Sequence, residues 1–111
     1  MTTKYLEDNS DYSDFSEVLP NKGPFFEPNR FNVMISLYQS KKIAFTSLQQ
    51  LLGLTPGNLD HHIRKLSEQD YVRTHKIITW RPLTMVEITS KGLEAFREHV
   101  KKLRLILLRI T

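Results

Sequence analysis

The sequence predicts a mainly α fold in which three short helices and a small β-hairpin precede one long C-terminal helix. Two observations carry that prediction. Apolar residues recur every three or four positions in four separate segments, and two runs rich in β-branched residues flank residues 79–82. A chain of 111 residues, 40% of them hydrophobic, is long enough for one core of this size. The absence of cysteine excludes disulfides, cysteine nucleophiles and thiolate metal sites.

Residues 1–28 are predicted to form an acidic leader ahead of the domain. They carry a net charge of −4, whereas residues 29–111 carry +8, a balance typical of a domain that binds a polyanion. Turn-forming residues between positions 20 and 29 mark the boundary. Spacings of seven, three and four separate the apolar residues Tyr5, Tyr12, Phe15 and Leu19. That spacing is compatible with an amphipathic docking helix, and a tail without fixed structure is the alternative.

Residues 29–53 predict two helices joined by a short apolar stretch, residues 43–45, that is compatible with a β-bridge. Asn29 is the expected N-cap of the first helix. Its inner face is predicted to carry Phe31, Met34, Ile35 and Tyr38. Thr46 or Ser47 is the expected N-cap of the second helix, and Gly53 its C-cap. The second helix is predicted to turn inward Leu48, Leu51 and Leu52.

A third helix is predicted from Thr55, its N-cap, to about Gln69. Pro56 fits the first helical position because that position needs no N–H donor. The apolar face of this helix carries Leu59, Ile63 and Leu66. Two helices joined by about three residues that include a glycine are the helix-turn-helix arrangement.

The rest of the chain predicts a hairpin and the long helix. Residues 71–78 and 83–88 are the predicted strands, and Thr89 or Ser90 is the expected cap of the last helix. That helix has an apolar seam at heptad-like spacing, Leu93, Phe96, Val100, Leu103, Leu107 and Ile110. This order of elements is the winged helix-turn-helix fold. Residues 29–89 form the predicted DNA-binding domain, and residues 90–111 form a dimerisation helix.

The segment LGLTPGNLDHHIRKL, residues 52–66, together with Asp70-Tyr71-Val72, resembles small winged helix-turn-helix transcriptional regulators of the MarR/ArsR-like group. The pattern continues with Lys76, residues 81–84 and residues 88–92, so the resemblance covers residues 30–102. It implies a dimeric DNA-binding regulator. Two positions depart from the pattern. Asp70 stands where the group usually has glycine in a left-handed turn, and Leu83 stands where its wing often carries arginine.

The third helix is the predicted recognition helix, because its outer face is polar and its first turns would reach base edges in the major groove. Arg64 is suited to guanine, Asn58 to adenine, and His61 to a purine acceptor. Asn58 and Asp60 have the alternative role of stabilising the first turn, and His62 is predicted to pack inside. The predicted DNA-contacting residues of this helix are Thr55, Gly57, Asn58, Asp60, His61, Arg64 and Lys65.

The hairpin is predicted to act as a basic wing on the flanking DNA backbone. Its candidate residues, with two lysines after the first helix, are Arg73, Lys76, Trp80, Arg81, Lys41 and Lys42. Trp80 is predicted either to insert at the minor groove or to pack on its neighbour. The apolar end of the last helix predicts a homodimer, since it is too large a patch to leave in water. The predicted dimer residues are Tyr12, Phe15, Val100, Leu103, Leu107 and Ile110. The alternative is a monomer in which the helix folds back.

The function predicted is a cytoplasmic, sequence-specific regulator of transcription, a repressor by default, that binds double-stranded DNA as a homodimer. A winged helix that binds only a protein partner is the alternative. No enzyme is predicted, because no catalytic motif is present and the four histidines lack the spacing of a metal site. We expect no cofactor, no metal and no membrane span. The sequence does not identify a small-molecule effector.

Overall fold

The computed structural model describes residues 23–111. A single 3-10 turn, Pro24–Phe26, leads into seven regular elements. They are α1 (Pro28–Ser40), β1 (Lys42–Ala44), α2 (Phe45–Leu52), α3 (Pro56–Glu68), β2 (Val72–Ile77), β3 (Leu83–Ile88) and α4 (Ser90–Ile110). The predicted fold class, a three-helix core with a hairpin and a long last helix, is confirmed.

The strands form one antiparallel sheet in the order β1-β3-β2. The register places Val72 opposite Ile88 and Ile43 opposite Val86. One face of the sheet therefore closes the core, whose fully buried side chains come from α1, α2, α3 and the sheet: Val33, Met34, Leu37, Leu48, Leu59, Leu66, Val72 and Val86. This packed core fixes the position of α3 relative to the hairpin.

Residues before position 29 also contribute to the packed core. Phe25 is only 6% exposed, and its ring lies 5.2 Å from that of Tyr71 and 5.4 Å from that of Phe96, measured between centroids. The expected N-cap Asn29 is wrong. Glu27 is the N-cap of α1, and its carboxylate accepts hydrogen bonds from the N–H groups of Asn29 and Arg30. Pro28 then occupies the first helical position, which leaves no role for Asn29 outside the helix.

The second helix also differs in detail from its prediction. It begins at Phe45 behind Ala44, which gives no side-chain cap, so neither Thr46 nor Ser47 caps it. Leu51 is 66% exposed rather than inward, while Leu48 is fully buried. The predicted end is confirmed, because Gly53 adopts the left-handed conformation with φ 66°.

A compact junction joins α3, β2 and α4. Asp70 adopts the left-handed conformation with φ 62°, as the resemblance implies for this position. The Thr89 hydroxyl donates to the Asp70 carbonyl at 2.6 Å and accepts from the Gly92 N–H at 2.9 Å, so Thr89 rather than Ser90 caps α4. A Cβ on Gly92 would overlap the Tyr71 carbonyl oxygen. This position therefore requires glycine for a close approach of α4 to β2.

Candidate nucleic-acid interface

The start of α3 is fixed by its cap. The Thr55 hydroxyl accepts a hydrogen bond from the Asn58 N–H at 3.1 Å, and Pro56 takes the first helical position, as predicted. Leu59, Ile63 and Leu66 are buried against the core. Because these three anchor one face, the opposite face of α3 is held outward along its whole length.

The outward face of α3 carries every residue predicted to contact DNA from this helix. All of them are exposed, namely Thr55, Gly57, Asn58, Asp60, His61, Arg64 and Lys65. Nothing lies within 4 Å of a Cβ built on Gly57, so the first turn is open to a large partner. The N-terminal N–H groups and partial positive charge of the helix suit a phosphate at this end.

Arg64 has a partner on its own helix. Its Nε donates to a carboxylate oxygen of Asp60 at 2.9 Å, and both side chains are largely exposed. An exposed pair of this kind contributes little to stability. The contact uses Nε and leaves the two Nη groups of Arg64 available to another acceptor. Asp60 is therefore placed to orient Arg64.

His62 lies on the other side of α3 and is 7% exposed, which confirms that it packs inside. Its Nε2 is 3.8 Å from a Glu27 carboxylate oxygen, and its Nδ1 is 3.5 Å from Nη1 of Arg30. Burial lowers the pKa of His62; the charge of Arg30 adds to that effect and Glu27 opposes it. The side chain thus ties α3 to the N-terminus of α1.

The turn at the tip of the hairpin exposes an aromatic and a basic side chain. The Thr79 hydroxyl donates to the Arg81 carbonyl at 2.7 Å and accepts from the Arg81 N–H at 3.1 Å, which closes the turn. Trp80 is 91% exposed, and the Arg81 guanidinium lies 5.6 Å from its ring centroid. Such a contact is a cation–π interaction. Trp80 therefore contacts its neighbour and still presents an open ring face.

The remaining predicted backbone contacts are spread over the sheet. Lys76 is exposed on β2, whereas Arg73 lies 3.5 Å from a Glu87 carboxylate oxygen. Lys42 on β1 also stands opposite Glu87, so Glu87 offsets part of the charge of both. Lys41 ends α1 with φ 71°. Lys41 and Lys42 are separated from β2 by β3, and the structure does not bring them together with the hairpin tip.

The residues that support the buried side of α3 were not predicted from the sequence. Arg30 donates from Nε to the Pro24 carbonyl at 2.7 Å and reaches His62 with its other end. Together with Glu27 it joins the N-terminal turn, α1 and α3. The signal available was the acidic residue directly before Pro28, a common start for a helix.

The far half of α4 is exposed on its apolar side. Val100, Leu107 and Ile110 are 40%, 51% and 74% exposed, and Leu103 is half-buried. Phe96 and Leu93 pack on the core, as expected. The two remaining predicted dimer residues, Tyr12 and Phe15, lie outside the described residues.

Comparison with known proteins agrees with this geometry. The model of the winged helix DNA-binding domain family matches residues 29–107. The chain belongs to this family. The resemblance to small winged helix-turn-helix regulators is thereby confirmed, and the chain carries a DNA-binding domain.

Three relatives illustrate the range of similarity. An uncharacterised protein of Methanocaldococcus jannaschii is 39% identical over 72 residues, 64% of this chain and 78% of the relative. A transcriptional regulator homologue from Pyrococcus horikoshii OT3 has a similar structure, with a TM-score of 0.84 and 36% identity, covering 88% of this chain and 97% of that one. The YusO protein from Bacillus subtilis, at 13% identity and a TM-score of 0.71 over 97% of this chain and 75% of its own, shares the fold.

Residues 23–111 contain no group of histidine and acidic residues that could hold a metal ion. Among these same residues no helix has the length and apolar character of a membrane span.

Proposed function

We propose that this protein is a sequence-specific regulator of transcription that binds double-stranded DNA as a homodimer and represses by occupying an operator. The observation that carries the proposal is the outward face of α3. It presents Asn58, His61 and Arg64 together, and Asp60 pairs with the arginine at 2.9 Å. These are the side-chain types that read adenine and guanine in the major groove.

The hairpin supports the same function through a different contact. Lys76 and Arg81 suit phosphates, and Trp80 suits the edge of the minor groove beside them. Phosphate contacts supply affinity that depends on salt, while the α3 contacts supply sequence preference. The net charge of +8 on residues 29–111 favours this partner.

The homodimer is proposed from α4. Its far half exposes Val100, Leu107 and Ile110 on one side, with Leu103 between them. Pairing with the same surface of a second copy removes this apolar area from water. A dimer also places two α3 helices near half-sites about one helical turn apart, and binding at both raises the modest affinity of each.

Selection of bound duplexes from a random pool tests the proposal. We expect enrichment of a site with twofold symmetry, and fluorescence anisotropy should then show tighter binding to that site than to random duplex. The affinity for both should fall as salt rises. A protein that binds neither the selected pool nor random duplex at low salt would instead be a winged helix for a protein partner.

A further inference from the structure

A groove of about 430 Å³ runs between α1 and the middle of α4. Its apolar lining consists of Phe31, Ile35, Tyr38, Phe96 and Val100. The rings of Phe31 and Tyr38 lie 5.4 and 6.1 Å from that of Phe96, between centroids, and these three form its floor. Ile35 and Val100 are about 40% exposed at its edges. Residues 23–111 alone leave this apolar surface open.

The rim of the groove on α4 is basic. It is formed by Arg97, Lys101 and Arg104. The Arg97 guanidinium donates to the Tyr38 hydroxyl from Nε at 3.2 Å and from Nη2 at 3.0 Å, which fixes one edge of the groove. Lys101 pairs only at the surface with Glu98, at 3.5 Å. The groove therefore suits an occupant that is apolar on one side and negatively charged beside it.

The chain itself contains such a segment. Residues 1–22 carry five acidic residues against two lysines, a net charge of −3. Their apolar residues recur at spacings of seven, three and four: Tyr5, Tyr12, Phe15 and Leu19. This is the pattern of a helix with one apolar face, and the opposite sign of charge on the rim matches it.

The segment also ends beside the groove. Immediately after it, Phe25 and Phe26 place their rings 5.3 and 5.6 Å from that of His99 on α4. The ring of His99 lies 5.9 Å, between centroids, from that of Phe31, which lines the groove. Phe15 is eight residues before Gly23, so an extended chain would span up to about 26 Å between them. The segment can therefore reach the groove without any movement of the domain.

We infer that residues 1–22 dock in the groove between α1 and α4, with Tyr12 and Phe15 against its apolar floor and the acidic residues beside Arg97, Lys101 and Arg104. Docking there would hold α4 against α1 at the point where α4 leaves the core. Tyr12, Phe15 and Val100, which the sequence predicts at the dimer interface, would then lie in this contact within one chain, and Leu103, Leu107 and Ile110 would carry the dimer. The docking itself requires neither DNA nor the dimer.

The absence of cysteine in the chain allows a direct test on the full-length protein. Ser16→Cys in the leader is combined with Gln39→Cys at the groove, and a disulfide forms only where the two Cα atoms approach within about 7 Å. The matched control combines Ser16→Cys with Gln50→Cys, an exposed position on α2. After mild oxidation without DNA, we expect at least fivefold more linkage between positions 16 and 39 than between 16 and 50, identified by mass spectrometry of the linked peptides.

A charge reversal completes the test. Lys101→Glu with Arg104→Glu should reduce the 16–39 linkage several-fold, whereas Lys65→Glu on α3 should leave it unchanged. Equal linkage at positions 39 and 50, or none at either, would overturn the inference. A 39–39 disulfide between two chains carrying only Gln39→Cys would overturn it differently, by placing a second copy in the groove. Because linkage is measured without DNA, its failure leaves the proposed DNA binding intact.

Discussion

Helices α3 and α4 are both anchored by an apolar face, but they leave opposite kinds of surface exposed. On α3 the outward residues are polar or charged, including Asn58 and Arg64. On the far half of α4, Leu107 and Ile110 are more than half exposed. A helix of 13 residues fits within the domain, whereas one of 21 residues extends past it. The surface of α3 therefore suits a charged, hydrated partner, and that of α4 suits protein.

The largest effect is expected on the α4 surface. Leu103→Glu with Leu107→Glu should convert a dimer into a monomer of 13.1 kDa, because four charges would be buried at a symmetric interface. Affinity for the selected operator should then fall at least about 100-fold. Sedimentation equilibrium measures the mass, and Leu51→Glu, at an exposed leucine of α2, is the matched control. A dimeric mass for the double variant would remove α4 from the interface.

The two helices can also be compared through a glycine in the first turn of each. Gly92→Ala should destabilise the fold by about 1–3 kcal/mol or more, since the new methyl group meets the Tyr71 carbonyl. Gly57→Ala should raise stability by about 0.5–1 kcal/mol, because alanine favours a helix and the space there is open. Urea unfolding at pH 7 measures both.

Gly57→Ala should lower the affinity for DNA even though it raises stability, because the added methyl group limits the approach of a phosphate. If Gly57→Ala leaves operator affinity unchanged, the first turn of α3 does not lie close to the DNA backbone.

Substitutions on α3 should weaken binding in a way that depends on the DNA sequence, whereas substitutions on the hairpin should weaken binding to every duplex. Arg64→Ala should cost about 1–3 kcal/mol of binding free energy on the selected operator and relax preference at one base pair. Arg81→Ala should weaken binding to every duplex and reduce the slope of log K against log salt by about one. Anisotropy titrations at several salt concentrations measure both quantities. Uniform weakening by Arg64→Ala would assign Arg64 to phosphate instead.

The smallest effect is expected from two histidines, His62, which is buried, and His99, which is half-buried. Burial lowers the pKa of His62 and of His99, with the charge of Lys102 adding to the effect at His99. The unfolded chain therefore binds more protons than the folded one below about pH 6.5, the ordinary pKa of histidine. The free energy of unfolding should fall as pH falls from 7.5 to 5.5.

The variant His62→Gln with His99→Gln isolates that contribution. Its stability should change less over the same pH range, in urea unfolding measured every half unit. An identical pH dependence in the two proteins would assign the loss to other groups, such as the carboxylates.

Most of the fold could be predicted because three- and four-residue periodicity marks a helix, but it locates the buried face only approximately. On α1 the predicted inner face includes Ile35, which is 38% exposed, and omits Val33 and Leu37, which are fully buried. The eight-residue α2 is too short to mark its face, and the prediction for Leu51 was also wrong. Phe25 was missed because turn-forming residues around it are typical of a linker. The exposed residues of α3 follow from the helical period alone once the buried face of α3 is known. The pairing of Arg73 with Glu87 depends on strand register, which the sequence does not specify.

In the proposed complex, a dimer presents two α3 helices to two half-sites on one face of DNA. The most direct test inserts about five base pairs between the half-sites of the selected operator, which rotates one half-site by about half a turn. The control duplex carries the same insertion outside the site. We expect affinity to fall about 100-fold on the first duplex and to stay unchanged on the control. Equal affinity for the two duplexes would mean that each copy binds alone, and would rule out the proposed dimer on DNA.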